Sequence, residues 1–270
     1  HGHVRRLDGR CGCCGCGGTT VRTLTIADPA LIVASSSWTP AFLPGLVAWW
    51  DASEASTFTY GSGSEVASWA SRVGSYSLGQ STASKRPSRS ATIGGKSAVQ
   101  FGADDALSVA SFDMGVGQKV SLWIVCTVPA GSDRILMEHS ADFGSNDGAF
   151  LCYRHSTNVV RWGRRAGGLD AMWATTGSLT TTAKAFIGVS DGTLSTDETS
   201  GWLNTTMSGS RPDNNNTNVA NRNDTLYVGA RGGSSLYSSA TIAEMGVSTS
   251  AFTSSEVSAL TTYLMVKWSL

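Results

Sequence analysis

Four of the six cysteines in this 270-residue chain, Cys11, Cys13, Cys14 and Cys16, lie within six positions. Cysteine at that density forms cross-links or holds a metal. Neighbours such as Cys13 and Cys14 rarely bridge each other, because a disulfide wants Cα atoms about 5.5 Å apart with suitably directed Cβ vectors. Three readings stand. The thiols bridge to a neighbouring subunit, or to Cys126 or Cys152. Alternatively they ligate zinc with His1 or His3, although zinc sites usually space two cysteine pairs with a longer gap between them. The third reading is a Gly-Cys tail with free thiols and no defined role. Cys126 and Cys152 themselves sit in apolar runs, where pairing across neighbouring strands and buried free thiols are both open.

The carboxylates do not form a hydrolytic pattern. A glycosidase needs two carboxyl groups about 5 to 9 Å apart, and sandwich-fold enzymes often carry them on one strand as Glu-x-Asp-x-x-Glu, which is absent here. Asp104 and Asp105 are adjacent, so on a strand they point to opposite faces. Asp51 and Glu54 read as turn residues, and Asp197-Glu198 lie in a Ser/Thr loop. Of the histidines only His139 and His155 fall in the main body of the chain, and no Gly-x-Ser-x-Gly elbow is present. No enzymatic activity is expected.

Binding chemistry is better represented. The oxygen-rich stretch holding Asp142, Asn146 and Asp147 offers the hard ligands calcium wants, as does the Asn-rich run at 213–218, though such runs also make plain turns. No cofactor is expected, with calcium at these loops as the one candidate beside the zinc reading above. A sugar site needs an aromatic platform beside polar hydrogen-bonders. Tyr153, Arg154, Trp162, Arg164, Arg165 and Trp173, with Asn215 from the Asn-rich loop, are the candidates. The competing reading makes Trp162 and Trp173 core residues with one polar edge showing.

These residues must be positioned by short strands. Only 15% of the chain is charged, 31 residues are glycine, and the 20 Lys and Arg balance the 20 Asp and Glu. That composition suits a turn-rich β-protein and gives no pull toward nucleic acid or anionic membrane. No apolar run reaches 18 residues, so no membrane-spanning helix is expected. The first residues are not read as a secretory signal, because no apolar core follows the basic positions. Residues 1–19 have almost nothing apolar to bury and read as an extended arm. Residues 20–45 read as two short strands and a Ser/Pro linker that anchors the arm, with Trp38 and Phe42 stapling it down. From residue 46 strand-like runs recur between Gly, Asn and Asp turns, at 66–69, 98–101, 107–109, 120–128, 134–138, 149–153, 159–162, 185–189, 201–203, 225–228 and 240–246. The run at 120–128 is the most apolar and is expected at the centre of a sheet. Residues 71–92 are Ser-rich with scattered basic residues. Thr253-Ser254-Ser255-Glu256 is a capping box, with Phe252 and Val257 as its staple, opening a helix over 253–268 whose apolar stripe is Val257, Leu260, Leu264 and Trp268. The fold class is therefore all-β, an antiparallel β-sandwich over 46–270 with a C-terminal helix and an extended N-terminal arm.

Three pieces also carry a resemblance. Ala48-Trp49-Trp50-Asp51-Ala52-Ser53 resembles the opening strand of the laminin-G-like, concanavalin A-like jelly rolls common in tailed-bacteriophage virion proteins. Ala98 to Leu107 resembles that family's internal strand and acidic turn, and the resemblance implies that residues 71–92 form a long surface loop. Ile242-Ala243-Glu244-Met245 and the closing Lys267-Trp268-Ser269-Leu270 resemble its last strand and terminal helix. The resemblance implies a non-enzymatic structural protein at the virion surface, a decoration, collar or fibre-associated subunit. Its implied partners are other virion proteins and further copies of itself, with host-surface glycan as a ligand and neither nucleic acid nor membrane. The alternative is a soluble carbohydrate-binding protein or glycoside hydrolase of the same fold, because this sandwich hosts many functions.

Overall fold

The structure, a computed structural model, describes residues 38–140, 142–166, 169–194, 199–211 and 219–270, with backbone alone at 166, 169–177 and 208–211. The arm with Cys11, Cys13, Cys14 and Cys16, the strands expected within 20–34, and Asn215 lie outside the described residues.

The apolar run at 120–128 becomes β8 (Lys119–Thr127), buried from Val120 to Cys126. Its parity explains why. Val120, Leu122, Ile124 and Cys126 face the opposing sheet, whereas Trp123 and Val125 face a second apolar layer. β8 is central in a sheet ordered β15 (Thr206–Arg211), β14 (Thr199–Leu203), β13 (Lys184–Asp191), β8, β17 (Thr241–Ser248), β6 (Lys96–Gln100) and β5 (Ser88–Ile93), with β1 (Leu46–Asp51) also pairing β17. The opposing sheet runs β12 (Leu169–Ser178), β11 (Val159–Ala166), β10 (Phe150–Arg154), β9 (Arg134–His139), β16 (Asn223–Val228), β7 (Leu107–Asp113), β4 (Ser77–Gly79), β3 (Val66–Ala70) and β2 (Phe58–Tyr60). All pairings are antiparallel, so the expected β-sandwich is what the chain forms.

The second apolar layer is the helix. α1 (Ser254–Trp268) carries the expected capping box, Thr253 accepting from the Glu256 amide while the Glu256 carboxylate accepts from the Thr253 amide. It buries Val257, Leu260, Leu264 and Trp268 against Trp49, Trp123 and Ile187 on the outer face of the eight-stranded sheet. Gly246 makes room: a Cβ there would stand 2.1 Å from the Trp123 ring.

A buried charge cluster fastens the helix, and it joins the first and last of the sequence pieces of the resemblance. The Lys267 ammonium donates to Asp51 Oδ2 at 2.6 Å, Glu244 Oε2 at 2.7 Å and the Tyr263 hydroxyl at 2.9 Å. Glu244 also accepts from the Trp49 and Trp268 indoles at 2.8 and 2.7 Å. Arg72 completes the balance at 2.8 Å from Asp51. Burial raises the Asp51 pKa, but Lys267 and the bonds from Ser53 more than offset it, leaving the carboxyl below its ordinary value. Glu244, fully enclosed, is raised by burial against the pull of Lys267. Asp51 is thus more than the turn residue expected from sequence.

Other expectations need correcting. The stretch at 71–92 is not one long loop, since it holds β4, a 3-10 turn at Ala83–Lys85 and most of β5. β2, β12 and β15 were equally unmarked in the sequence. Strands such as Ser77-Leu78-Gly79 bury one residue each, too little to print an apolar alternation. In the connector Trp38 does meet the Tyr263 ring, edge-on at 5.7 Å, but Phe42 stays 69% exposed.

Candidate functional site

Strand parity on β9, β10 and β11 builds the candidate site. Tyr153 pairs with Arg161 on one side and Ile135 on the other, and Leu151 pairs with Gly163 and Glu138. These residues share the outer face of the nine-stranded sheet: side chains alternate faces along β10 and β11, and a bulge in β9 brings Ile135 and Glu138 to the same side. The loop after β9 then folds back over that face. Its Phe143 joins Ile135, Ala149 and Leu151 in a small cluster with Tyr153 packed against it.

The result is a pocket of about 340 Å³ with an apolar floor of Ile135, Leu151 and Phe143 and walls that include Arg161 and Arg231. Arg161 donates to the Tyr153 hydroxyl at 3.4 Å and makes no ion pair among the described residues. Arg231 comes from the turn after β16, and its Nε lies 3.3 Å from Glu138 Oε1, which also accepts from the Phe143 amide at 3.2 Å. Glu138 is fully buried, and its other oxygen, Oε2, has no hydrogen-bond partner among the described residues. Burial raises its pKa, with Arg231 pulling the other way. Asp133 and Asp142 stand at the rim. A guanidinium presents a planar fork of donors suited to a carboxylate. An apolar floor suits the C–H face or a methyl group of the same ligand.

Of the residues singled out from sequence, Tyr153 and Asp142 reach this pocket. Arg154, Trp162 and Arg164 do not, for they have the opposite parity and point between the sheets. Trp162 is fully buried against Gly188. Arg154 donates to Asn158 Oδ1 and to the Ser132 carbonyl, and Arg164 to the carbonyls of Gln118 and Val219 at 2.6 and 2.8 Å. The reading of Trp162 as a core residue is the one that holds. Arg165 lies 3.5 Å from Asp147. Trp173 stands opposite Trp162 in β12, with its side chain outside the described residues.

Each calcium candidate has its own neighbours. Asp142 is exposed, the Asn146 amide donates to Ser140 Oγ at 3.3 Å, and Asp147 sits beside Arg165. Among the described residues no group of three His, Cys, Asp or Glu converges. Cys126 and Cys152 are free, buried thiols. They belong to β8 and β10, on opposing sheets rather than neighbouring strands, and burial pushes both thiols up.

Sequence reasoning missed Arg161, Arg231, Glu138 and Phe143. Parity was the available signal for Arg161: with Trp162 fixed inward, position 161 must face out. Arg231 and Phe143 arrive on loops, whose folding back leaves no periodic trace.

No family model matches the sequence, and no curated protein matches it. Among solved structures, a Trypanosoma rangeli sialidase in complex with sialic acid is similar over 80% of this chain and 32% of its own, at 11% identity and a TM-score of 0.54. The structure of NanB with Optactamide is similar over 60% of this chain and 26% of its own, at 16% identity and a TM-score of 0.50. The chain thus spans about a third or less of the sialidases it matches. At such identities the likeness establishes a shared β-sandwich fold.

Proposed function

We propose that the sandwich is a non-catalytic carbohydrate-binding module whose ligand is a sugar bearing a carboxylate. One observation carries this reading: Arg161 and Arg231 converge over an apolar floor in a pocket on the outer sheet face. The guanidiniums would take the carboxylate and the floor of Ile135, Leu151 and Phe143 the apolar side of the ring. Sialic acid, held by the Trypanosoma rangeli sialidase, is a sugar of this class and supports the choice. A binding role is favoured over hydrolysis because Glu138, the carboxylate beneath the pocket, is tied to Arg231 and the Phe143 amide.

The test is a glycan array followed by calorimetry. Sialylated and uronate glycans should bind while neutral glycans do not, and R161A should weaken binding at least tenfold without moving the thermal midpoint. Equal binding of neutral glycans, or no effect of R161A, defeats the reading, and release of free sugar would replace it with an enzyme. Repeating the titration with EDTA tests the calcium expectation. We further propose that the module is displayed on a larger particle, with phage virion proteins as partners, a reading supported by the Cys-rich stretch at 11–16. A gel of the full chain with and without reductant checks it, through multimers that collapse on reduction.

A further inference from the structure

A second depression lies on the same outer face, one strand beyond the pocket. It is an open trough of about 550 Å³ whose lining includes Ser77, Gly79, Gln80, Arg86 and Ser108. Register links it to the pocket in a straight row: Leu151 pairs with Glu138, Glu138 with Tyr227, Tyr227 with Ser108, and Ser108 with Gly79. The row crosses from β10 to β4 in four inter-strand steps, about 19 Å at ~4.8 Å per step.

Only β16 separates the two depressions, and the residue it contributes to the row is a half-buried tyrosine. Gly233, at φ +70°, sets the 231–235 turn beside the Tyr227 ring, close enough that a Cβ would stand 3.4 Å from it. Next to Tyr227 in the row is Glu138, buried beneath the pocket and held by Arg231 and the Phe143 amide.

Resting on the carbohydrate reading above, we propose that the ligand is an oligosaccharide chain rather than a single sugar. Its acidic unit sits between Arg161 and Arg231, the next ring stacks on Tyr227, and the chain continues into the trough over Ser108 and Gly79. An aromatic face next to hydrogen-bonding groups is the chemistry that a sugar ring recognises. The small side chains of the trough leave the width that a glycan needs.

The experiment is calorimetry on the full chain with α2,8-linked sialic acid and galacturonate oligomers of one, three and five units. We expect affinity to rise at least tenfold from one unit to three or more in one of the two series. In Y227A, and independently in S108W, which fills the trough, the ratio of pentamer to monomer affinity should fall toward one. Thermal midpoints report whether each variant remains folded, and S108W decides if Y227A does not. Affinity independent of length, or a length effect untouched by S108W, overturns the proposal while leaving the Arg161 pocket standing. Failure of every oligomer and monomer to bind overturns both readings.

Discussion

Removing the Lys267 ammonium would leave Asp51 and Glu244 buried with one cation short, since both carboxylates are fully enclosed and share that donor. Breaking a buried ion pair from one side typically costs about 3–5 kcal/mol. K267M should therefore lower the urea midpoint sharply, and the measurement is an equilibrium denaturation curve. His139 gives a second test. It lies between Phe112 and Phe150, with Nε2 3.0 Å from the Phe112 carbonyl, and burial holds its pKa down to about 4. A depressed histidine is neutral in the folded state and protonates first in the unfolded one. Its contribution is complete above about 6.5 and is lost as pH falls toward 4, a change on the order of 3 kcal/mol. The difference in thermal midpoint between pH 7 and pH 4.5 should shrink in H139F. Asp51, depressed in the opposite charge sense, withdraws its contribution only below its ordinary value near 3.8. Glu244, raised, loses its own as pH climbs above 4.5.

At the level of elements, the sequence was most legible where a local rule and the tertiary fold agree. The helix was readable because Thr253 and Glu256 cap each other and four apolar residues fall on one stripe. β8 was readable because both of its faces are covered. The short strands were not, because a strand that buries only Leu78 looks like a serine-rich loop. The face that carries the pocket suffered from the same limit: apolar and aromatic residues announce the core, so Trp162 drew attention while Arg161, one position away, did not. Close packing between elements yields its own prediction. G246A would drive a methyl into the Trp123 ring, and overpacking of this kind costs about 1–3 kcal/mol. That corresponds to a fall of several degrees in melting temperature, at roughly 2–4 °C per kcal/mol for a chain of this size.

On the scale of the whole molecule, residues 38–270 form one unit by contact, and the charge cluster binds its first strand, its last strand and its helix. A fragment beginning at Trp38 should melt cooperatively at the temperature of the full chain, a comparison for differential scanning calorimetry. The first and last of the three sequence pieces that carried the family resemblance are joined by this cluster, despite lying far apart in the chain. What remained hidden was which face of the sandwich carries the pocket. That depends on register across six strands and on two folded-back loops, and neither is a property of any single window of sequence.

Trp38 meets Tyr263 near the end of the helix, so the chain enters and leaves this unit on the helix-covered side. Arg161, Tyr153 and Tyr227 occupy the far side of the opposite sheet. The Trp38 end and the proposed sugar pocket thus lie on opposite sides of the sandwich, so a label or surface coupled at that end would leave the pocket open.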